Sequence, residues 1–179
     1  MTRRWIVNLL SVVVVAVVAY IAVLGGTPYL IMGRTMKGVA NRAGGYNTAL
    51  SGGQLPTSAS RGVVRPSPDL LYTACAFDVS GGPVLIAGAP SDAYWSVALY
   101  AANTDNFYVL DDRQAAGKPV AIVLVSQDRL QSIPADYKTA RIVEPPSKRG
   151  IVLFRYLVLD SQELEAARAA QRTAVCRKL

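Results

Sequence analysis

No charged side chain occurs between Arg4 and Arg34, and the twenty residues from Trp5 to Leu24, WIVNLLSVVVVAVVAYIAVL, are almost wholly apolar. At about 1.5 Å per residue this run makes a helix of about 30 Å, the hydrocarbon thickness of a bilayer. Valine is a poor helix former in water, yet in lipid an unpaired backbone is so costly that the helix forms regardless. The run is therefore expected to be an uncleaved transmembrane anchor over residues 1–26. The competing reading is a cleavable signal peptide, since Arg3 and Arg4 supply a basic start. A signal core is usually about 7 to 15 residues long, however, and no A-x-A cleavage pattern follows this one. A buried soluble helix fits least, because no polar face interrupts the block.

Orientation follows from the adjacent arginines on a very short N-terminal tail, the usual pattern of a signal anchor with its N-terminus in the cytoplasm. Arg34, Lys37 and Arg42 compete on the other side. The expectation is a single-pass membrane protein whose C-terminal domain lies outside the cytoplasm.

A net charge of +7 invites a nucleic-acid reading until its distribution is considered. Residues 34–65 hold Arg34, Lys37, Arg42, Arg61 and Arg65 with no acid, whereas residues 66–179 hold 12 basic and 12 acidic side chains. The domain itself is neutral. A basic stretch just outside a membrane helix is attracted to anionic headgroups, and no basic stripe interleaved with aromatics supports nucleic-acid binding.

Gly25 and Gly26 are expected to end the membrane helix. Thr27 and Pro28 then offer an N-cap and first residue for a second, short helix whose apolar positions Leu30, Ile31, Met36, Val39 and Ala40 share a side, which fits a helix lying on the membrane or against the domain. Residues 44–62, GGYNTALSGGQLPTSASRG, read as a loop or tether without phosphate-binding glycine spacing. This gives a juxtamembrane helix and linker over 27–63 and a β-rich extracytoplasmic domain over 64–179. Within that domain, strands are predicted over 71–79, 83–88, 94–101, 106–110, 119–125, 140–144 and 150–159, forming a mainly β antiparallel β-sandwich or partial barrel. Asp160 and Glu163 have capping-box spacing for a C-terminal helix with Leu164, Ala167 and Ala170 on its apolar face.

The sequence contains no histidine and two cysteines, Cys75 and Cys176. That removes His-dependent triads and His-rich metal centres, and two cysteines without C-x-x-C spacing are too few for a structural zinc or an iron–sulfur cluster. No metal and no cofactor is expected. An all-oxygen calcium site at 103–106 or 111–112 is weaker than plain hairpin-turn chemistry for the same residues. In an oxidising compartment, Cys75 in the first strand and Cys176 after the last helix are expected to form a disulfide; the alternative is a buried Cys75 and a Cys176 in a frayed tail.

One polar constellation stands out in RPSPDLLY: Arg65, Asp69 and Tyr72 could bind a polar ligand. The stronger reading is structural, with Pro66 and Pro68 holding an extended chain and an Arg65–Asp69 pair locking the start of the first strand. In YWSVALY, alternation turns Trp95 inward and puts Tyr94 and Tyr100 on the other face, either under the C-terminal helix or at a protein interface.

The segments RPSPDLLYTACAFDVSGGPV, YWSVALYAANTDNFYVLDDRQ and RGIVLFRYLV resemble the bacterial domain of unknown function 1254 family, over most of the chain outside the apolar run. Members often carry Asn between the two prolines, where this chain has Ser67. The likeness is to the compact, membrane-anchored members. It implies a β-rich fold and a protein partner carrying the companion β-rich domain of unknown function 1214, and it implies no reaction. The leading expectation is a noncatalytic membrane-tethered envelope module acting through that partner. The alternative is a subunit or remnant of an extracytoplasmic enzyme with a polar pocket near Arg65, Asp69 and Tyr72.

Overall fold

In a computed structural model, the protein is described for residues 2–60 and 66–179. Its first element is one continuous helix, α1 (Thr2–Ala43), about 63 Å long at the standard rise. The break expected at Gly25 and Gly26 does not form, and Pro28 lies inside the helix. Proline removes one backbone donor and so frees the carbonyl four residues back, that of Leu24. Next to it, the Thr27 hydroxyl donates to the Val23 carbonyl at 2.5 Å, the kind of side-chain bond that keeps an apolar helix intact around a proline. The C-terminal turns are held from outside as well. Met32, Met36, Val39 and Ala40 are buried against Ala76 and Ile151 of the domain, with Tyr46, Leu50 and Tyr100 packed around them. Burying each large apolar side chain contributes about 1.5–3 kcal/mol, enough to carry the helix past its weak glycines. α1 stops at a left-handed Gly44 (φ +85°), where the Gly45 N–H returns to the Ala40 carbonyl at 2.8 Å.

The domain is a two-sheet sandwich and mainly β. Its strands are β1 (Leu50–Ser51), β2 (Leu70–Asp78), β3 (Val84–Gly88), β4 (Trp95–Ala101), β5 (Asn106–Asp111), β6 (Val120–Leu124), β7 (Arg141–Val143), β8 (Arg149–Leu157) and β9 (Val175–Lys178). One sheet has the order β1-β2-β8-β4-β5 and the other β7-β6-β3-β9. All pairings are antiparallel except β6 with β7, which is parallel. Period-two alternation divides the faces of the first sheet. Leu71, Cys75 and Phe77 of β2, Val97 and Leu99 of β4, and Val152, Phe154 and Tyr156 of β8 enter the core. Tyr72, Ala74, Leu153 and Arg155 face outward beside α1.

A four-residue helix, α2 (Asp112–Ala115), follows β5, and α3 (Ser161–Arg172) carries the chain from β8 to β9. Asp160 caps α3 as its spacing predicts: its Oδ1 accepts from the Glu163 N–H at 2.8 Å, while Glu163 Oε2 accepts from the Leu159 N–H at 2.7 Å. The small side chains Ala167 and Ala170 let α3 approach the core closely, where both are buried.

Two strands escape sequence patterning. β1 is only two residues long and lies within the Gly- and Ser-rich stretch read as a tether, while β9 follows α3 where a frayed tail was the alternative to a docked cysteine.

Candidate functional site

The RPSPDLLY stretch does not gather a polar site among the described residues. Arg65 lies outside them. Asp69 is exposed, and its carbonyl accepts from the Val158 N–H at 2.9 Å. The Tyr72 hydroxyl instead accepts from the Ser67 N–H at 3.0 Å, so the phenol, rather than a carboxylate, fixes the approach to β2.

Tyr72 belongs to a different assembly. It is the Cα partner of Arg155 across β2 and β8, and Arg155 is in turn the partner of Ser96 on β4. The three form a polar row across three strands on the outer face. Arg155 Nε donates to Ser96 Oγ at 3.0 Å, which fixes the guanidinium over the sheet. The row ends at Asp111 on β5, whose carboxylate is engaged in capping α2 through the Gln114 N–H at 2.8 Å.

This row lies beside a groove of about 760 Å³ between α1 and the sheet. Thr35, Val39 and Arg42 of α1 form one wall, and residues 52–57 form another. Leu153 and Ala74 supply an apolar floor, Tyr72 and Arg155 a polar one. Among the described residues lining it, two are arginines and none is acidic. Arg42 Nε donates to the Gly38 carbonyl at 3.1 Å, which steadies the side chain along the helix. A groove with two guanidiniums and no carboxylate can take an anion through charge-assisted hydrogen bonds. Sequence reasoning missed it because its residues are distant in the chain. The available signal was Arg155 itself, a lone charge at an outward position within the apolar run GIVLFRYLVL.

A second polar cluster fixes α1 to the domain. Asn47, left-handed at φ +59°, accepts from the Asp78 N–H at 2.8 Å and donates to the Asp78 carbonyl at 3.0 Å. The Asp78 carboxylate pairs with Arg149 at 2.7 Å, and that guanidinium lies 5.1 Å from the Tyr46 ring centre. Partial burial opposes ionisation of Asp78, but hydrogen bonds from Ser80 and the Arg149 charge outweigh it and hold the carboxyl below its ordinary range.

The two tyrosines of YWSVALY separate. Tyr100 packs in the cluster under α1, not under α3, because α1 covers the outer face to which the alternation turns it. Tyr94 is 41% exposed. Trp95 is buried in the core, as its position predicts. Tyr156 is also buried, and burial pushes its phenol up to about 12.

Cys75 and Cys176 form a disulfide between the two sheets. In the turn 103–106, Asn103 and Asp105 hydrogen-bond each other, Nδ2 to Oδ2 at 2.6 Å, around a left-handed Thr104, which is turn chemistry. Among the described residues, no group of three or more His, Cys, Asp or Glu side chains could hold a metal ion.

A family model described as a protein of unknown function (DUF1254) matches residues 46–178. The fold is similar to that of the VPA0106 protein from Vibrio parahaemolyticus, with a TM-score of 0.56 and 18% sequence identity. That match covers 62% of this chain and 28% of the Vibrio chain, so the protein spans just over a quarter of that relative's length. A putative uncharacterized protein from Burkholderia cenocepacia aligns with a TM-score of 0.42 and 16% identity, over 79% of this chain and 48% of the other. No protein with a curated description matches.

Proposed function

The chain belongs to the DUF1254 family, and from that premise we propose that it is a noncatalytic module of the cell envelope, tethered by α1 and acting through a protein partner. The observation that carries the reading is the division of α1. The large apolar side chains from Trp5 to Ile31 are exposed, whereas Met32, Met36, Val39 and Ala40 are buried in the domain. An exposed apolar rod of that length needs a covering, and a bilayer is the covering its length fits.

The Cys75–Cys176 disulfide supports an extracytoplasmic side, since such bonds persist in oxidising compartments. Single-pass insertion in the bacterial inner membrane, with the domain in the periplasm, accounts for both features. Exposed Tyr94 at the start of β4 is the contact we assign to the partner, which in this reading carries the companion domain of unknown function 1214.

The enzyme-subunit reading has less support: Asp69 is exposed and the Tyr72 hydroxyl is engaged by Ser67. The test is alkaline carbonate extraction of membranes followed by intact mass. The full-length chain is expected in the pellet. Release into the supernatant, or a mass lacking the first twenty-odd residues, contradicts the tether.

A further inference from the structure

We propose that the groove between α1 and the outer face of the five-stranded sheet holds the headgroup of an anionic glycerophospholipid, whose acyl chains follow the apolar face of α1 into the bilayer. The inference rests on the tether reading and adds a ligand to it.

Charge is the first argument. Arg42 and Arg155 line one groove from two different elements, and no acidic side chain lines it among the described residues. In Arg155 the bond to Ser96 uses only Nε, so the planar guanidinium is presented in a fixed orientation. That geometry suits a phosphodiester, which accepts hydrogen bonds from such a fork.

Continuity is the second. Thr35, Val39 and Arg42 line the groove from successive turns of α1, and one turn earlier on the same face stands Ile31, 55% exposed. The groove wall therefore runs without interruption into the apolar rod. A soluble anion would use the arginines alone, while a lipid uses both parts of this face.

Depth is the third. From Trp5 to Ile31 the exposed apolar part of α1 is about 40 Å long, so a hydrocarbon core of about 30 Å is matched by a tilt of about 40°. Ile31 then lies at the hydrocarbon boundary and Thr35, about 6 Å further along the axis, at headgroup level. The groove volume of about 760 Å³ is in the range that holds a small organic ligand.

The test uses the full chain in mild detergent, with bound lipid read by native mass spectrometry. Dioleoylphosphatidylglycerol and dioleoylphosphatidylcholine are added separately. One phosphatidylglycerol per chain is expected, held at least about tenfold more tightly than phosphatidylcholine. Arg42→Gln/Arg155→Gln should lose that preference, while Arg34→Gln/Lys37→Gln, which alters exposed charges outside the groove, should keep it. Arg42→Gln alone, a change at an exposed position, should weaken binding several-fold with an unchanged melting temperature. Equal retention of the two lipids, or equal losses in both double variants, overturns the site. Full competition by millimolar inorganic phosphate overturns the lipid in favour of a free anion. If carbonate extracts the chain, the tether fails and the inference with it; if the chain stays in the pellet without lipid selectivity, only the lipid site fails.

Discussion

Cys75 on β2 and Cys176 on β9 join the two sheets of the sandwich across its core, with their Cα atoms 6.4 Å apart at a sequence separation of 101. Cys75 lies opposite Val152 in one sheet, and Cys176 opposite Ile86 in the other. The bond thus closes the side of the sandwich where α3 crosses between sheets.

Removing this bond should cost about 2–5 kcal/mol. The Cys75→Ala/Cys176→Ala double variant is the comparison, with thermal unfolding in detergent as the readout. Labelling unfolded, unreduced protein purified from the envelope should find no reactive thiol. Two thiols per chain would contradict both the bond and the oxidising compartment.

Gly150 should tolerate no side chain. A Cβ there would run into the Tyr100 carbonyl oxygen and approach within 2.6 Å of the Phe77 ring. Gly150→Ala is expected to destabilise by about 3 kcal/mol, through overpacking between β8 and β4. Gly53→Ala meets nothing within 4 Å and should melt close to the parent. Similar melting of both variants would contradict the close strand approach.

The Asp78 carboxyl is held below its ordinary range in the folded protein, so it favours folding above the unfolded value of about 3.9. That contribution is complete above about pH 5 and is lost as pH falls through 3.9 toward the lower folded-state value. Because Arg149 is 56% exposed, solvent screening limits the effect to about 1 kcal/mol. Asp78→Asn should therefore melt below the parent at pH 7 and close to it at pH 3. A difference independent of pH would contradict this role.

Much of this architecture was legible in the sequence because local patterning and burial agree. The seven strands read from alternation and turn residues appear with ends shifted by at most two residues, and Asp160 caps α3 as its spacing predicts. Failures arose where tertiary contacts override local signals. Gly25, Gly26 and Pro28 weaken a helix, but α1 continues because its last turns are buried against Ala76 and Ile151. Tyr100, read as packing under the C-terminal helix or at an interface, packs under α1 because the continuous helix covers the outer face of the sheet. The groove was invisible for a related reason: Tyr72, Ser96 and Arg155 meet only through strand pairing, and Arg42 joins them only once α1 docks.

The α1–domain seam should be sensitive to charge. Ala40 is 4% exposed in the cluster with Met36 and Ile151, so Ala40→Glu places an unpaired carboxylate there at a cost of several kcal/mol. The expected readout is faster proteolysis within residues 44–60, with the disulfide-bonded sandwich left intact. Unchanged cleavage would contradict a docked seam.

The proposed placement of the domain outside the cytoplasm by α1 is tested most directly by paired reporter fusions after Leu179. An alkaline phosphatase fusion, active only beyond the inner membrane, is expected to be active, and a fusion to a fluorescent protein that matures only in the cytoplasm is expected to be dark. An inactive, well-expressed phosphatase fusion together with a fluorescent partner fusion would place the domain in the cytoplasm and contradict the account.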